Sequence, residues 1–592
     1  MKKPLVYYAL SLYFGCLEGF LIDNKALPLA LIFLLMLIFI LGFTLKRIYF
    51  LFCLGFYILG FLSILNYYHL NLPKGEDLTK VKFEEVDDYY SLGKYNGKLI
   101  YIEGKQDKAL EGKIVYALGT YTPSKNYSKG YVATLNIVKI ISAEKTIYST
   151  FLSNKNALEE KYKTNLGLEN SNIIMAVCFG DTSKLNKEDK EAYINYGVLF
   201  ALSLSGYHLI IMFYLIKKYF GIIPAMVFCF IFIFLLDFQT SAFRAFIFIV
   251  IASLSKKFYK NYDSISILSL SAIILLSLWP FFSMELGFHL SFLAVLGIYL
   301  FNDKIKRFFF YLPDNLNSSI ALALSTQIFT LPFLAFTLRD FSLGFLPGGI
   351  ILIPFFQLLI PFTTLVSLLS FSTFLFTIGC SILNYLLMSL KGALYILSFL
   401  NMGKGYIQVE EAVFILLLLI IFILYSRGGY KKLKYAPLFL LVIFPMFNYK
   451  FITQMYYMKY GNAELIEIKY KNKNVLLIDG KIKGIDKIKY IEGVTGTKDL
   501  FPIGDNLLKI NINPDLTLEC LQKSNSLDEP NILLRYRNIN YVFAQSINND
   551  LYSHENYNVI DLKVGYSKEI TYQVVSYSTI YIAFNKVFVI KD

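Results

Sequence analysis

Ile48-Tyr49-Phe50-Leu51-Phe52-Cys53-Leu54-Gly55-Phe56-Tyr57-Ile58-Leu59-Gly60-Phe61-Leu62-Ser63-Ile64-Leu65-Asn66 contains no Lys, Arg, His, Asp or Glu. A helix of this length matches the hydrocarbon core of a bilayer, which takes about 20 apolar residues. It has no polar face of the kind a surface helix of a soluble domain shows. The stretch therefore reads as a transmembrane span. Two more apolar runs precede it, at about 4–21 and 27–44, and Lys46-Arg47 lies just before the third. The excess of basic residues in cytoplasmic loops places that loop, and with it the N-terminus, in the cytoplasm. Met1-Lys2-Lys3 before an apolar run also resembles a signal peptide. The second run follows almost at once, which favours an uncleaved first span.

Composition extends this reading to the whole chain. Of 592 residues, 56% are hydrophobic and 17% charged, with a mean hydropathy of +0.52. Soluble domains carry about 25% charged residues. The formal net charge of +14 comes mostly from short loops between apolar runs, so it reflects topology before it reflects any polyanionic ligand. Cys16, Cys53, Cys229 and Cys380 sit in apolar runs, Cys178 and Cys520 lie far apart, and there is no CxxC. Neither a disulfide framework nor a zinc site follows.

After the third run the chain turns polar, from 67 to about 170, and exits to the outside. This segment alternates as β-structure does. Lys98–Gly104, Lys113–Ala117 and Tyr131–Ile137 are strand-like, with turns at Asn96-Gly97, Glu111-Gly112 and Lys129-Gly130 between them. Short strands in so small a segment suggest a barrel, with an OB-fold as the first candidate and an unrelated small sandwich as the alternative. Its 15 basic and 13 acidic residues nearly cancel. Its many tyrosines suit base stacking and equally suit strand formation.

Residues 171–447 return to the membrane, with spans near 193–216, 219–236, 240–256, 264–281, 286–301, 318–337, 345–370, 372–400, 411–425 and 434–447. Basic loops at Lys217-Lys218, Lys256-Lys257 and Lys304–Arg307 fall on alternate connections, and the loop with Arg427, Lys431, Lys432 and Lys434 is also basic. Pro347, Gly348, Gly349, Pro354 and Pro361 break the 345–400 region repeatedly. The final span delivers residues 448–592 to the outside. There 463–468 and 474–480 read as a strand pair, and 574–590 as further strand. The fold class is thus a polytopic α-helical membrane protein with a small β-rich, OB-like extracytoplasmic domain and a C-terminal β-rich domain. Its domains run 1–66, 67–170, 171–447 and 448–592.

Polar residues inside apolar spans are costly and mark a pathway or a buried pair. Leu202-Ser203-Leu204-Ser205-Gly206-Tyr207-His208 is such a place, read either as packing by small residues or as a polar lining. Arg244 in Ser241-Ala242-Phe243-Arg244-Ala245 either snorkels, pairs with Asp237, or faces a pathway. Glu285 and His289 share a helical face, but two residues are too few for a metal site. Gln327 lies in Ser325-Thr326-Gln327-Ile328-Phe329-Thr330-Leu331-Pro332. There is no GxxxxGK[ST], GxSxG or HExxH, so no ATPase or hydrolase signature appears.

Phe179-Gly180-Asp181-Thr182-Ser183-Lys184-Leu185 resembles the GD-x-S-x-L opening of the ComEC-type competence region. In the same order, Gly197–His208 resembles its HLLAISGLH element, the Arg244 segment its P-x-x-R-A element, Leu286–Val295 its GFQLSFLAV element, and Gln327–Pro332 its Q-x-x-TLP element. Singly these are weak; together they are specific. The resemblance implies a plasma-membrane channel that takes up single-stranded transforming DNA during competence. It carries over Asp181, Ser205, Gly206, His208, Arg244, His289 and Gln327 as candidate channel residues, without a role for each. His289 stands where the family usually has glutamine, and Thr240 and Ser241 replace the small residue and proline expected before the arginine. The resemblance further implies a cytoplasmic helicase-like motor, an extracytoplasmic DNA receptor, and single-stranded DNA and membrane lipid as partners, with oligomerisation open. No cofactor, metal or catalytic residue is implied. Many family members end in a metallo-β-lactamase-like domain. Here Tyr460–Glu464 and Leu477–Gly480 resemble its first strand pair, but the HxHxDH metal motif is missing, which makes the tail a degenerate relative or an unrelated β-rich domain. The competing readings are a transporter of another polyanion or lipid-linked polymer, and a membrane-anchored hydrolase.

Overall fold

The computed structural model describes the chain except residues 1–2, 25–27, 29, 32–33, 36–41, 43–44, 71, 74, 87–89, 128, 200–205, 236–239, 258–262, 401–403, 427–449, 461–462, 472, 480–484, 498, 503–507, 514–515, 521–531, 537–538, 545–556, 562–574, 584–585 and 592. Two compact units emerge: 1–330 with 342–403, and 331–341 with 404–592. Among the described residues, six helices are long and apolar enough to cross a membrane: Pro4–Asp23, Arg47–Tyr68, Leu286–Phe308, Leu316–Thr337, Phe345–Phe371 and Thr373–Ser398. The spans read at 27–44 and 434–447 fall largely or wholly outside the described residues.

In the first unit, α1 (Pro4–Asp23) packs along α2 (Arg47–Tyr68) at very short range. Gly15 and Gly60 permit it: a Cβ on Gly15 would stand 2.0 Å from the Tyr57 carbonyl oxygen, and one on Gly60 2.2 Å from that of Leu12. Helices that cannot be driven together by the hydrophobic effect gain association from such close approach. Five strands follow, β1 (Glu76–Val86), β2 (Ser91–Tyr95), β3 (Lys98–Glu103), β4 (Ile114–Asn126) and β5 (Tyr131–Glu144). They close into a barrel in the order β1-β2-β3-β5-β4, antiparallel except for β3 beside β5. Val81, Phe83, Ile100, Ile102, Val115 and Leu135 fill its interior. The barrel is tied to the helix ends by side chains. Lys98 Nζ donates to the carbonyls of Asn66 and His69 at 2.5 and 2.6 Å, Tyr67 Oη donates to the Gly130 carbonyl at 2.9 Å, and Asp23 accepts from Lys125 at 2.7 Å and Tyr127 at 2.6 Å.

Beyond the barrel come α3 (Ile147–Leu166), α4 (Leu168–Phe179) and α5 (Lys187–Asn195), then the apolar helices α6 (Gly206–Phe220), α7 (Ile222–Leu235), α8 (Thr240–Lys257) and α9 (Ser264–Leu278). The 20-residue α3 was not legible from the strand-like alternation before it; a Thr146–Ser149 capping box starts it. The span expected at 193–216 is not one helix. Chain geometry breaks it after Asn195, where Gly197 takes φ +64 and the Asn195 carbonyl is engaged by Gly344 N–H and Ser342 Oγ–H. Four longer helices complete the unit's membrane part: α10 (Leu286–Phe308), α11 (Asp314–Thr337, which runs into the second unit), α12 (Phe345–Leu368) and α13 (Thr373–Ser398). The 345–368 stretch is continuous despite its prolines. Pro347 lies in the first turn, where backbone N–H groups have no intrahelical acceptor to lose.

The second unit is β-rich. A six-stranded sheet runs, in spatial order, Asp499–Pro502, Lys473–Asp479, Ala463–Lys471, Lys450–Tyr460, Val575–Ala583 and Lys586–Lys591. The strand pair anticipated at 463–468 and 474–480 is antiparallel, with Val475 opposite Ile468. Strand Lys473–Asp479 connects to the parallel strand Asp499–Pro502 through helix Ile485–Thr495. Residues 508–513, 516–520, 532–536, 539–544 and 557–561 form a five-stranded sheet. Glu467 is 3% exposed beside Lys469, 3.0 Å away, and burial pushes its carboxyl up to about 7 against the pull of that lysine.

Because the α1–α2 approach leaves no room for a side chain, Gly60→Leu should force the helices apart. The purified variant should melt lower in detergent by several degrees, a size typical of overpacking by about 1–3 kcal/mol. Gly55→Leu, at a position with open space above it, is the control and should melt like the parent.

Candidate functional site

Arg244 lies in the second turn of α8. Its Nε donates to Ser291 Oγ on α10 at 2.5 Å, and its guanidinium carbon stands 5.8 Å from the centre of the Phe292 ring. An arginine exposed to lipid at the bilayer centre costs at least about 2.5 kcal/mol, whereas one held by a hydroxyl and a ring face is inside protein. Asp237, the other partner weighed for it, lies outside the described residues. His289 sits on the same first turns of α10. Its Nδ1 is 2.8 Å from the Glu285 carbonyl and its Nε2 is 2.7 Å from Tyr13 Oη on α1. Leu12, Leu275, Leu276 and Phe288 form the buried apolar core beside it, with Tyr13, Phe243, Trp279 and Phe292 packed on that core. Three helices thus bring Arg244, Ser291, Phe292, His289 and Tyr13 into one neighbourhood.

The other candidates lie elsewhere. Gln327 is on α11; its Oε1 accepts from Thr330 Oγ at 3.2 Å, a contact within its own helix. Gly297, eight residues beyond His289, meets the same helix: a Cβ there would be 2.2 Å from the Ser325 carbonyl oxygen. At 1.5 Å per residue that crossing is about 12 Å along α10 from His289. Gly206 is the buried first residue of α6. Ser205 and the His208 side chain lie outside the described residues.

Residues 177–432 match the model of the competence protein family. Residues 177–432 are thus a competence-family segment. A relative from Aquifex aeolicus (strain VF5), an uncharacterized protein, is 30% identical over 292 residues, covering 47% of this chain and 66% of the relative. No solved structure matches the chain. Arg244, His289, Ser291 and Gln327 all fall inside the competence segment, whereas Tyr13 belongs to α1, well before it.

Asp181 opens the competence segment in a different setting. It precedes the short helical turn 182–184 and accepts from Ser183 Oγ at 2.6 Å and Lys155 Nζ at 3.1 Å, with Lys184 Nζ at 3.9 Å. Lys184 also bonds Glu159, which is 4% exposed and lies 3.1 Å from Lys163. Burial works against both carboxylates, but the lysines, with Ser183 at Asp181, outweigh it and hold both below the ordinary carboxylate range. Asp181 is therefore the node of an ion network that fastens α3 to the start of the competence segment. Lys155, Glu159, Ser291 and Tyr13 were not singled out from sequence. Ser291 sat inside a quoted element, but Lys155 and Glu159 are ordinary residues of a charged helix and Tyr13 one aromatic among many.

A folded-state pKa below the unfolded value stabilises above the unfolded pKa and stops doing so as pH falls through the folded one. The network's contribution should be complete above about pH 5 and vanish on further acidification. Glu159→Gln should cost about 2–3 kcal/mol at pH 7, since its lysines are partly exposed. Melting curves of Asp181→Asn/Glu159→Gln against the parent from pH 7 to 4 check this: the difference should shrink toward pH 4, and a difference independent of pH would assign the loss to packing.

Proposed function

We propose that the chain is a plasma-membrane channel that passes one strand of transforming DNA into the cytoplasm during competence. The observation that carries the reading is Arg244, a fixed cation held among the helices of a competence-family segment by Ser291 and the Phe292 ring. A strand of phosphodiesters crossing a low-dielectric region needs such a charge, and a ring-backed guanidinium presents its remaining donors to an oxyanion. In this reading Ser205, Gly206 and His208 line the same path, and Gln327 sits farther along it.

The barrel supports an OB-like assignment through its strand order and its parallel β3–β5 pair. Tyr116, with Lys80 Nζ 5.7 Å above its ring, offers a base an aromatic face beside a cation, while Tyr121 and Tyr131 are buried in the barrel. The N-terminus is read as cytoplasmic and both soluble parts as extracytoplasmic, so reporter fusions after residues 120 and 520 should both report an outside location. The two sheets of the second unit, with a helix crossing between parallel strands, are compatible with a degenerate metallo-β-lactamase-like tail. Without an HxHxDH run it guides DNA or assembles the machine and does not cut. With no P-loop, the drive comes from a cytoplasmic helicase-like motor, and an extracytoplasmic receptor delivers the DNA.

Arg244→Ala should reduce transformation at least tenfold while the protein stays inserted and abundant, and Arg244→Lys should recover only part of it, because an ammonium cannot reproduce the guanidinium fork. Wild-type transformation in Arg244→Ala, with surface DNA capture unchanged, would remove the channel reading.

A further inference from the structure

Ser291 and Phe292, which hold Arg244, lie in the second turn of α10, and the turn before them is weakly made by its own backbone. Glu285 precedes the helix without a side-chain cap, and the first backbone bond, His289 N–H to the Glu285 carbonyl, is long at 3.4 Å. The His289 ring supplements it, with Nδ1 only 2.8 Å from the same carbonyl oxygen. A carbonyl oxygen only accepts, so Nδ1 carries the proton. With one ring proton, Nε2 is then an acceptor, and the hydroxyl 2.7 Å away, Tyr13 Oη–H, is its donor. The Tyr13 and His289 rings meet edge to face at 5.7 Å, so the contact is shaped as well as bonded. In the next turn of α10, Ser291 receives Arg244, and Phe292 backs its guanidinium.

We propose that Tyr13 is a positioning residue of the Arg244 site: from α1, outside the segment shared with the family, it fixes the His289 ring in the Nδ1–H tautomer and thereby holds the α10 turn that presents Ser291 and Phe292. This rests on the channel reading for its consequence in transport, but the tautomer assignment stands without it. The histidine is therefore an orienting strut between α1 and α10. Glutamine, which the family pattern has at this position, can serve the same geometry, because its amide supplies one donor and one acceptor.

Nitrogen-15 NMR of the full-length protein in lipid, labelled at histidine, tests the assignment. The chain has four histidines, His69, His208, His289 and His554, so the His289 signal is identified by its loss in His289→Gln. The parent should show Nδ1 protonated and Nε2 bare but hydrogen-bonded, and Tyr13→Phe should move the Nε2 signal away from its bonded value. A protonated Nε2 with bare Nδ1 in the parent, or a signal indifferent to Tyr13→Phe, would overturn the proposal. In transformation assays normalised to protein level, Tyr13→Phe should lower DNA entry by about fivefold to tenfold, the worth of one buried hydrogen bond. His289→Phe should lose entry and make a second Tyr13→Phe change silent, and His289→Gln should restore part of it. Reduced entry in Arg244→Ala with parental entry in Tyr13→Phe would sink the positioning role and leave the channel reading intact. Parental entry in both would sink the channel reading, with the NMR result still deciding the strut.

Discussion

A polypeptide crossing hydrocarbon finds no water for its backbone, so each N–H and C=O must be satisfied within the segment, and each charged side chain must find protein. Arg244 shows how that second requirement is met. Its guanidinium can be neither left to lipid nor neutralised, and Ser291 and the Phe292 ring receive it. Meeting it fixes α8 against α10. Because the receiving residues lie in the first turns of α10, the start of that helix has to be fixed too, and α1 does so through Tyr13 and His289.

The same chain of dependence runs outward. α1 can reach α10 only in a defined place, and Gly15 and Gly60 set that place by letting α1 and α2 lie nearly backbone to backbone. The ends of these two helices then carry the barrel through Asp23, Tyr67 and the carbonyls of Asn66 and His69. The β-barrel and a buried arginine are thereby joined through one pair of helices. On the other flank, the ion network of Lys155, Glu159, Asp181 and Lys184 binds α3 to the opening of the competence segment. Partly buried charge pairs of this kind add little net stability but penalise any arrangement that leaves one partner alone.

Helical character of the membrane part, the strands of the polar segment after Asn66 and the opening strands of the tail were all legible in the amino-acid order, because hydrophobic length and alternation report local geometry. The continuity of α12 through Pro354 and Pro361, the break after Asn195 and the presence of α3 were not. The break follows from Gly344 and Ser342 engaging the Asn195 carbonyl, and α3 from its capping box, neither of which a count of apolar residues registers. The family elements likewise drew attention to Asp181, Arg244, His289 and Gln327 together, although these residues occupy three separate settings: an ion network on α3, a hydroxyl and ring site between α8 and α10, and a contact within α11.

By itself the sequence determined that this protein is a multi-span membrane protein with β-rich soluble parts and a competence segment, since apolar run length, strand periodicity and ordered motifs are local properties of the chain. Tertiary structure alone decided which polar residues meet. Tyr13 reaches His289 across 276 positions, and Lys155 reaches Asp181 across 26. A hydrogen bond or ion pair is specified by position in space at a few ångströms, and no spacing along the sequence encodes that distance.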